Sequence, residues 1–137
     1  MDVFVYGTLT DPKRVAAVLD SYAFVGAAVV DGLRPVEGRY PTLAPGGEVA
    51  GRILRTDDVE ALDAYEGADR GLYVRVAIPW RPGADVDESA TDAVAAYVGD
   101  PELLGVEDEV AWPGTGPLDA RVRRYVADND VRIRPID

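Results

Sequence analysis

The sequence predicts an α+β domain whose sheet curls into a barrel. Three observations predict it. Six or seven short runs have the apolar, β-branched pattern of strands and are broken by Gly and Pro. Only two or three stretches repeat apolar residues at helical spacing. At 137 residues the chain is the length of one domain, long enough to bury a core without disulfides or a structural metal, so residues 1–137 are read as one unit.

Val3-Phe4-Val5-Tyr6 is a buried strand stopped by Gly7-Thr8. Asp11-Pro12 has N-cap and N1 chemistry, and Val15, Val18 and Leu19 then share the face of a short helix. Residues 21–31 are strand-like, and Gly32, Pro35 and Gly38 punctuate the next stretch. Tyr40-Pro41-Thr42-Leu43 reads as a short edge strand, because Pro41 cannot donate to a central ladder. Pro45-Gly46-Gly47 reads as a turn and 48–55 as a strand with a kink at Gly51.

Thr56-Asp57-Asp58 opens a second helix, with Asp57 and Glu60 spaced as a capping box. Val59, Leu62 and Asp63 stand at i, i+3 and i+4. Glu66 continues that stripe at i+7, and Gly67 ends the helix. Residues 72–80 and 90–99 are strands. Pro117 opens a helix in which Leu118, Val122, Tyr125 and Val126 share a face, and 131–136 form a tail strand or extended arm. No internal repeat or low-complexity linker is visible.

Absent residue types narrow the chemistry. The chain has no Cys and no His. Thiol nucleophiles, Ser-His-Asp triads, CxxC redox motifs and zinc sites of thiolate or imidazole are therefore excluded. Proton transfer falls to Asp, Glu, Tyr or Lys13. No metal or cofactor is expected. Twenty-five acids face 14 bases, 13 of them Arg, for a net charge of −11. Such a surface repels nucleic acid and anionic membranes, so neither is an expected partner. Asp excess with a single Lys suits high salt, where the Debye length falls to about 3 Å at 1 M. No apolar run approaches about 18 residues, and Met1-Asp2 opens without a basic or hydrophobic leader region. The chain is read as soluble and cytoplasmic.

Four features carry candidate chemistry. The Tyr6-Gly7-Thr8-Leu9 turn leaves a buried strand and enters a helix, which exposes backbone N–H groups able to hold a carboxylate, phosphate or oxyanion. Glu66 ends a helix on its inward stripe, where a carboxylate is paired, capped or retained for chemistry. Tyr73 and Arg75 share one face of a strand, with Tyr73 either core or pocket and Arg75 a partner for an acid. Tyr97 is an aromatic of the same kind. The acid clusters at 57–58, 85–88 and 107–109 lack EF-hand spacing and read as solvated faces. The basic tail, Arg121, Arg123, Arg124, Arg132 and Arg134, reads as internal pairing with the acid excess, with phosphate recognition as the alternative.

In order, the chain presents V-F-V-Y-G-T-L at 3–9, Y-P-T-L at 40–43, E-V-A-G-R-I-L at 48–54, L-D-A-Y-E-G at 62–67 and Y-V-R at 73–75. This series resembles the gamma-glutamylcyclotransferase-like superfamily, in particular its AIG2-like (gamma-glutamylamine cyclotransferase) branch. The resemblance covers about residues 3–98 and leaves 99–137 as a C-terminal extension of unassigned role. It implies a small mixed β-barrel with flanking short helices. It further implies that Tyr6, Gly7, Thr8 and Leu9 bind a small gamma-glutamyl substrate, that Glu66 is the general acid/base, and that Tyr73 and, by a looser match, Tyr97 line the pocket. The implied reaction closes the gamma-glutamyl group into 5-oxoproline and releases an amine, without metal or cofactor. The alternatives are a non-catalytic small-ligand binding protein that keeps the fold and a ligand sensor that uses the Arg-rich tail.

Overall fold

A computed structural model describes residues 1–84 and 93–136 of the chain. The acid cluster at 85–88 and the first residues of the strand expected over 90–99 lie outside the described residues. The elements run β1 (Asp2–Val5), α1 (Pro12–Val18), β2 (Ala23–Glu37), β3 (Pro41–Arg55), α2 (Val59–Glu66), β4 (Tyr73–Pro79), β5 (Ala93–Gly99), α3 (Leu118–Asp128) and β6 (Arg132–Ile136). Short 3₁₀ turns at Thr8–Thr10 and Ala68–Arg70 come after β1 and α2.

The strands form one sheet in the order β4-β5-β1-β3-β2-β6. The β1–β5 pair is parallel and the other pairs are antiparallel. The sheet curls into a half-barrel. Its two ends approach at a bridge between Trp80 and Ile133, where the Arg81 N–H donates to the Ile133 carbonyl at 2.8 Å. The α+β class and the curled sheet agree with the expectation.

The largest difference lies at residues 21–55. The expected short strands and the turn at 45–47 are instead two 15-residue strands, β2 and β3, paired as one long hairpin. Register explains the glycines. Asp31 pairs with Glu48 and Leu33 with Pro45, so Gly32 stands opposite both Gly46 and Gly47. All three have positive φ, at 104°, 97° and 71°, which L side chains adopt at a cost. They bend a continuous strand pair rather than end it. Pro41 is tolerated because β1 pairs with β3 only over Arg52–Arg55, leaving that edge without a strand partner among the described residues at the hairpin tip.

The expected capping box is also absent. Helix α2 starts at Val59, and the cap residue Asp58 makes no side-chain bond to its own helix. Asp58 Oδ2 accepts the N–H groups of Asp20 and Ser21 at 2.9 and 3.0 Å, while Thr56 Oγ1 accepts the Asp58 N–H and donates to the Ser21 carbonyl. These residues tie the end of α1 to the start of α2. Asp11 does cap α1 as expected, accepting the Lys13 N–H at 3.0 Å.

Residues beyond 98 complete the core. Leu104, Val106, Val110, Trp112, Val122, Val126, Val131 and Ile133 join the same buried cluster as Phe4, Leu54 and Leu62. The tail arginines are mostly internal: Arg123 pairs with Asp119, Arg132 with Asp130, and Arg134 with both Asp31 and Glu48. Among the described residues no helix is long and apolar enough to cross a membrane.

Candidate active site

Strand β1 ends inside the half-barrel, so the loop after it must leave the core abruptly. Gly7 turns it, and Thr8–Thr10 make one tight turn, with the Thr10 N–H and hydroxyl both donating to the Gly7 carbonyl. Leu9 is buried and anchors the loop. No hydrogen bond among the described residues engages the N–H groups of Gly7, Thr8 and Leu9. Gly7, Thr8 and Leu9 border a cleft of about 360 Å³ that also includes Tyr6, Glu66, Tyr73 and Tyr97. All seven residues singled out in the sequence therefore meet at one site.

Helix α2 delivers Glu66. Leu62 is fully buried, worth about 2 kcal/mol, and fixes which face looks inward. Gly67, at φ 72°, ends the helix one residue after Glu66 in the left-handed conformation. Its N–H donates to the Ala64 carbonyl, and its own carbonyl accepts the Arg70 and Leu72 N–H groups. The carboxylate is thus fixed at a helix end and faces the cleft instead of bending back to solvent. Burial pushes the Glu66 carboxyl up to about 7 from an ordinary value near 4.5.

The three tyrosines have committed their protons. Tyr6 donates to the Tyr97 carbonyl at 2.6 Å, Tyr73 to the Pro41 carbonyl at 2.5 Å, and Tyr97 to Asp63 Oδ1 at 2.6 Å. Burial raises the pKa of each, and the charge of nearby Glu66 adds to the effect on Tyr73. They stay neutral and keep their protons on these partners. Glu66 is then the cleft's titratable group near neutral pH.

Asp63 stands one turn before Glu66. It accepts the Tyr97 hydroxyl and, through both oxygens, Arg75 Nη1 at 2.8 Å. Arg75 and Tyr97 are cross-strand partners on β4 and β5, so α2 is tied to two adjacent strands. Arg75 is a partner for an acid, Asp63. Tyr73 is both core and pocket, because its ring is buried while it also lines the cleft.

Sequence reasoning missed part of the rim. Tyr65 hydrogen-bonds Thr8 Oγ1 at 2.8 Å and links α2 to the 6–9 loop. Tyr40, Arg14 and Arg70 also line the opening. Tyr65 stands in the L-D-A-Y-E-G motif and Tyr40 opens Y-P-T-L, which are the available signals for these two. Arg14 and Arg70 lie in segments whose sequence spacing gives no cue that they share a cleft.

The family model for gamma-glutamyl cyclotransferase, AIG2-like, matches residues 3–112. The chain belongs to the AIG2-like gamma-glutamyl cyclotransferase family. The match runs past residue 98, where the motif resemblance stopped. AIG2-like protein A of Arabidopsis thaliana is 32% identical over 123 residues, covering 81% of this chain and 71% of that protein. A solved gamma-glutamyl cyclotransferase shares the fold at TM-score 0.59 and 14% identity, over 93% of this chain and 98% of the other. An Arabidopsis thaliana protein solved in solution gives TM-score 0.53 at 28% identity, over 93% and 84%. In this AIG2-like chain, the cleft lies at the end of β1 and the helix end that carries Glu66.

Proposed function

We propose that this AIG2-like protein cyclises a small gamma-glutamyl amine or amide to 5-oxoproline and releases the amine, with Glu66 as general acid/base. The observation that carries the reading is Glu66 itself, a carboxyl that burial pushes up to about 7, in a cleft it shares with the Gly7-Thr8-Leu9 turn.

The reaction is intramolecular. The substrate's α-ammonium must lose a proton before its nitrogen can attack the γ-carbonyl carbon. Glu66 in its carboxylate form takes that proton. The new C–N bond closes a five-membered ring and places charge on the former carbonyl oxygen. The N–H groups of Gly7, Thr8 and Leu9 suit the glutamyl group and that oxyanion, each such donor being worth about 10²–10³ in rate. Glu66 then protonates the departing nitrogen as the old C–N bond breaks. The ring nitrogen gives its second proton back to Glu66, and the departing amine or solvent takes it, so the proton count closes. Positioned proton transfer of this kind contributes about 10²–10⁴. Holding the glutamyl chain in its ring-closing conformer adds an orientation contribution.

A value near 7 fits a group that must both take and return a proton at neutral pH. The Tyr73 oxygen, with its proton committed to the Pro41 carbonyl, suits the substrate ammonium as an acceptor. The test is release of 5-oxoproline from a panel of gamma-glutamyl amines and dipeptides by the purified protein. Turnover of at least one is expected. Binding without product across the panel would instead support a non-catalytic ligand-binding role.

A further inference from the structure

Resting on the cyclase reading, we infer that Arg52 and Phe24 are positioning residues of the active site. Arg52 holds the Thr10 carbonyl from outside the cleft and so sets the orientation of the Thr8 and Leu9 N–H groups.

The turn after β1 is a chain of peptide planes. Each trans peptide is planar, so its N–H points opposite to its carbonyl and the two move together. The Gly7 carbonyl accepts the Thr10 N–H and hydroxyl at 3.1 and 2.7 Å, which fixes the plane that carries the Thr8 N–H. The Thr8 carbonyl accepts the Asp11 N–H at 3.2 Å, which fixes the plane that carries the Leu9 N–H. Both sets of bonds converge on Thr10 and the peptide that joins it to Asp11. The carbonyl of that same peptide accepts Arg52 Nη1 at 3.0 Å.

Arg52 reaches it from the sheet. It stands on β3 opposite Val5, the last residue of β1, and opposite Ala27 of β2. Its side chain is half-buried, and its guanidinium lies 3.7 Å from the centre of the Phe24 ring. A planar guanidinium stacks on a ring and donates from its edge at the same time, which a lysine ammonium does not reproduce. Among the described residues no acid pairs with Arg52, although acids outnumber bases 25 to 14. Its charge is committed to one backbone carbonyl and one ring. Arg52, Phe24 and Thr10 stand outside the cleft lining, so none of them is placed to touch substrate. Tyr65, which also ties the turn, bonds the exposed Thr8 hydroxyl and holds no peptide plane.

Arg52→Met keeps an apolar stem on the strand and removes the donors and the charge. Amide exchange followed by NMR reads the brace without any substrate. Exchange at Thr10 and Asp11 should quicken about tenfold, the scale of one hydrogen bond from a charged group, while the amides of the β1–β3 ladder keep their wild-type rates. On a substrate that the wild type turns over, kcat/KM for 5-oxoproline release should fall about tenfold as well. Phe24→Leu leaves the donors and removes the ring, and should give about a threefold change in both readouts. Wild-type exchange at Thr10 and Asp11, equal quickening in the ladder, or quickened exchange with wild-type kcat/KM would each overturn the inference. Where Arg52→Met does not fold, Phe24→Leu is read by the same criteria. Absence of 5-oxoproline from the wild type across the panel would overturn the cyclase reading and with it the catalytic use of the brace, while the exchange rates still report whether Arg52 holds the turn.

Discussion

The Tyr97 hydroxyl meets Asp63 Oδ1 at 2.6 Å, which fixes α2 to β5 one helical turn before Glu66. Arg75 holds the same carboxylate from β4. The pair holds the helix that carries Glu66, and Tyr97 also lines the cleft. Tyr97→Phe removes one of its two anchors. About 1 kcal/mol of stability should be lost, because Asp63 is one-third exposed and solvent weakens the bond. Thermal unfolding measures that loss. In the same variant kcat should fall severalfold while the acidic limb of the pH profile stays in place, because Glu66 keeps its own surroundings.

The proposed role of Glu66 also sets an expected pH profile. The carboxylate form begins the reaction, so kcat/KM should rise tenfold per pH unit below the free-enzyme pKa and level off above about 7. In the enzyme–substrate complex the substrate ammonium favours the carboxylate, so the limb in kcat should lie lower than the limb in kcat/KM. Initial rates at saturating and limiting substrate from pH 5 to 9 separate the two.

The same group sets a sign for stability. Glu66 is raised on folding, so between about 4.5 and 7 the folded state binds more protons than the unfolded state. Its contribution is favourable in acid relative to neutral pH and is lost as pH rises through that window. A rise from 4.5 to about 7 corresponds to about 3 kcal/mol. Glu66→Gln should therefore stabilise the protein at pH 8 and do so far less at pH 5. Denaturant unfolding at both pH values checks the sign.

Gly51 marks where β1 and β3 press closest. A Cβ there would overlap the Val5 carbonyl oxygen and the Phe4 ring. Gly51→Ala must therefore shift β1, at a cost of about 2–3 kcal/mol, the scale of an overpacked core. Because β1 leads straight into the 6–9 loop, KM should rise in whatever fraction still folds. Melting temperature and steady-state kinetics read the two effects separately.

The site was more legible in the sequence than the sheet was. Glu66 could be placed because Val59, Leu62 and Asp63 define an inward stripe and Gly67 a stop, both local properties. The 6–9 turn was legible for the same reason. The β2–β3 hairpin was not. Gly32, Gly46 and Gly47 look like chain breaks until the register shows that they face one another across a bulge. The capping box failed because Asp58 serves the backbone of Asp20 and Ser21, far away in sequence. The rim arginines were invisible for that reason too, since α1 and the turn after α2 meet only in three dimensions.

The central claim is that Glu66 moves the proton. Its most direct test is the rate of 5-oxoproline release by Glu66→Gln, which keeps the side chain's shape and removes its basicity, on a substrate that the wild type turns over. A fall of about 10²–10⁴ in kcat, with the protein folded and KM little changed, is expected. A variant that released 5-oxoproline at the wild-type rate would contradict the account.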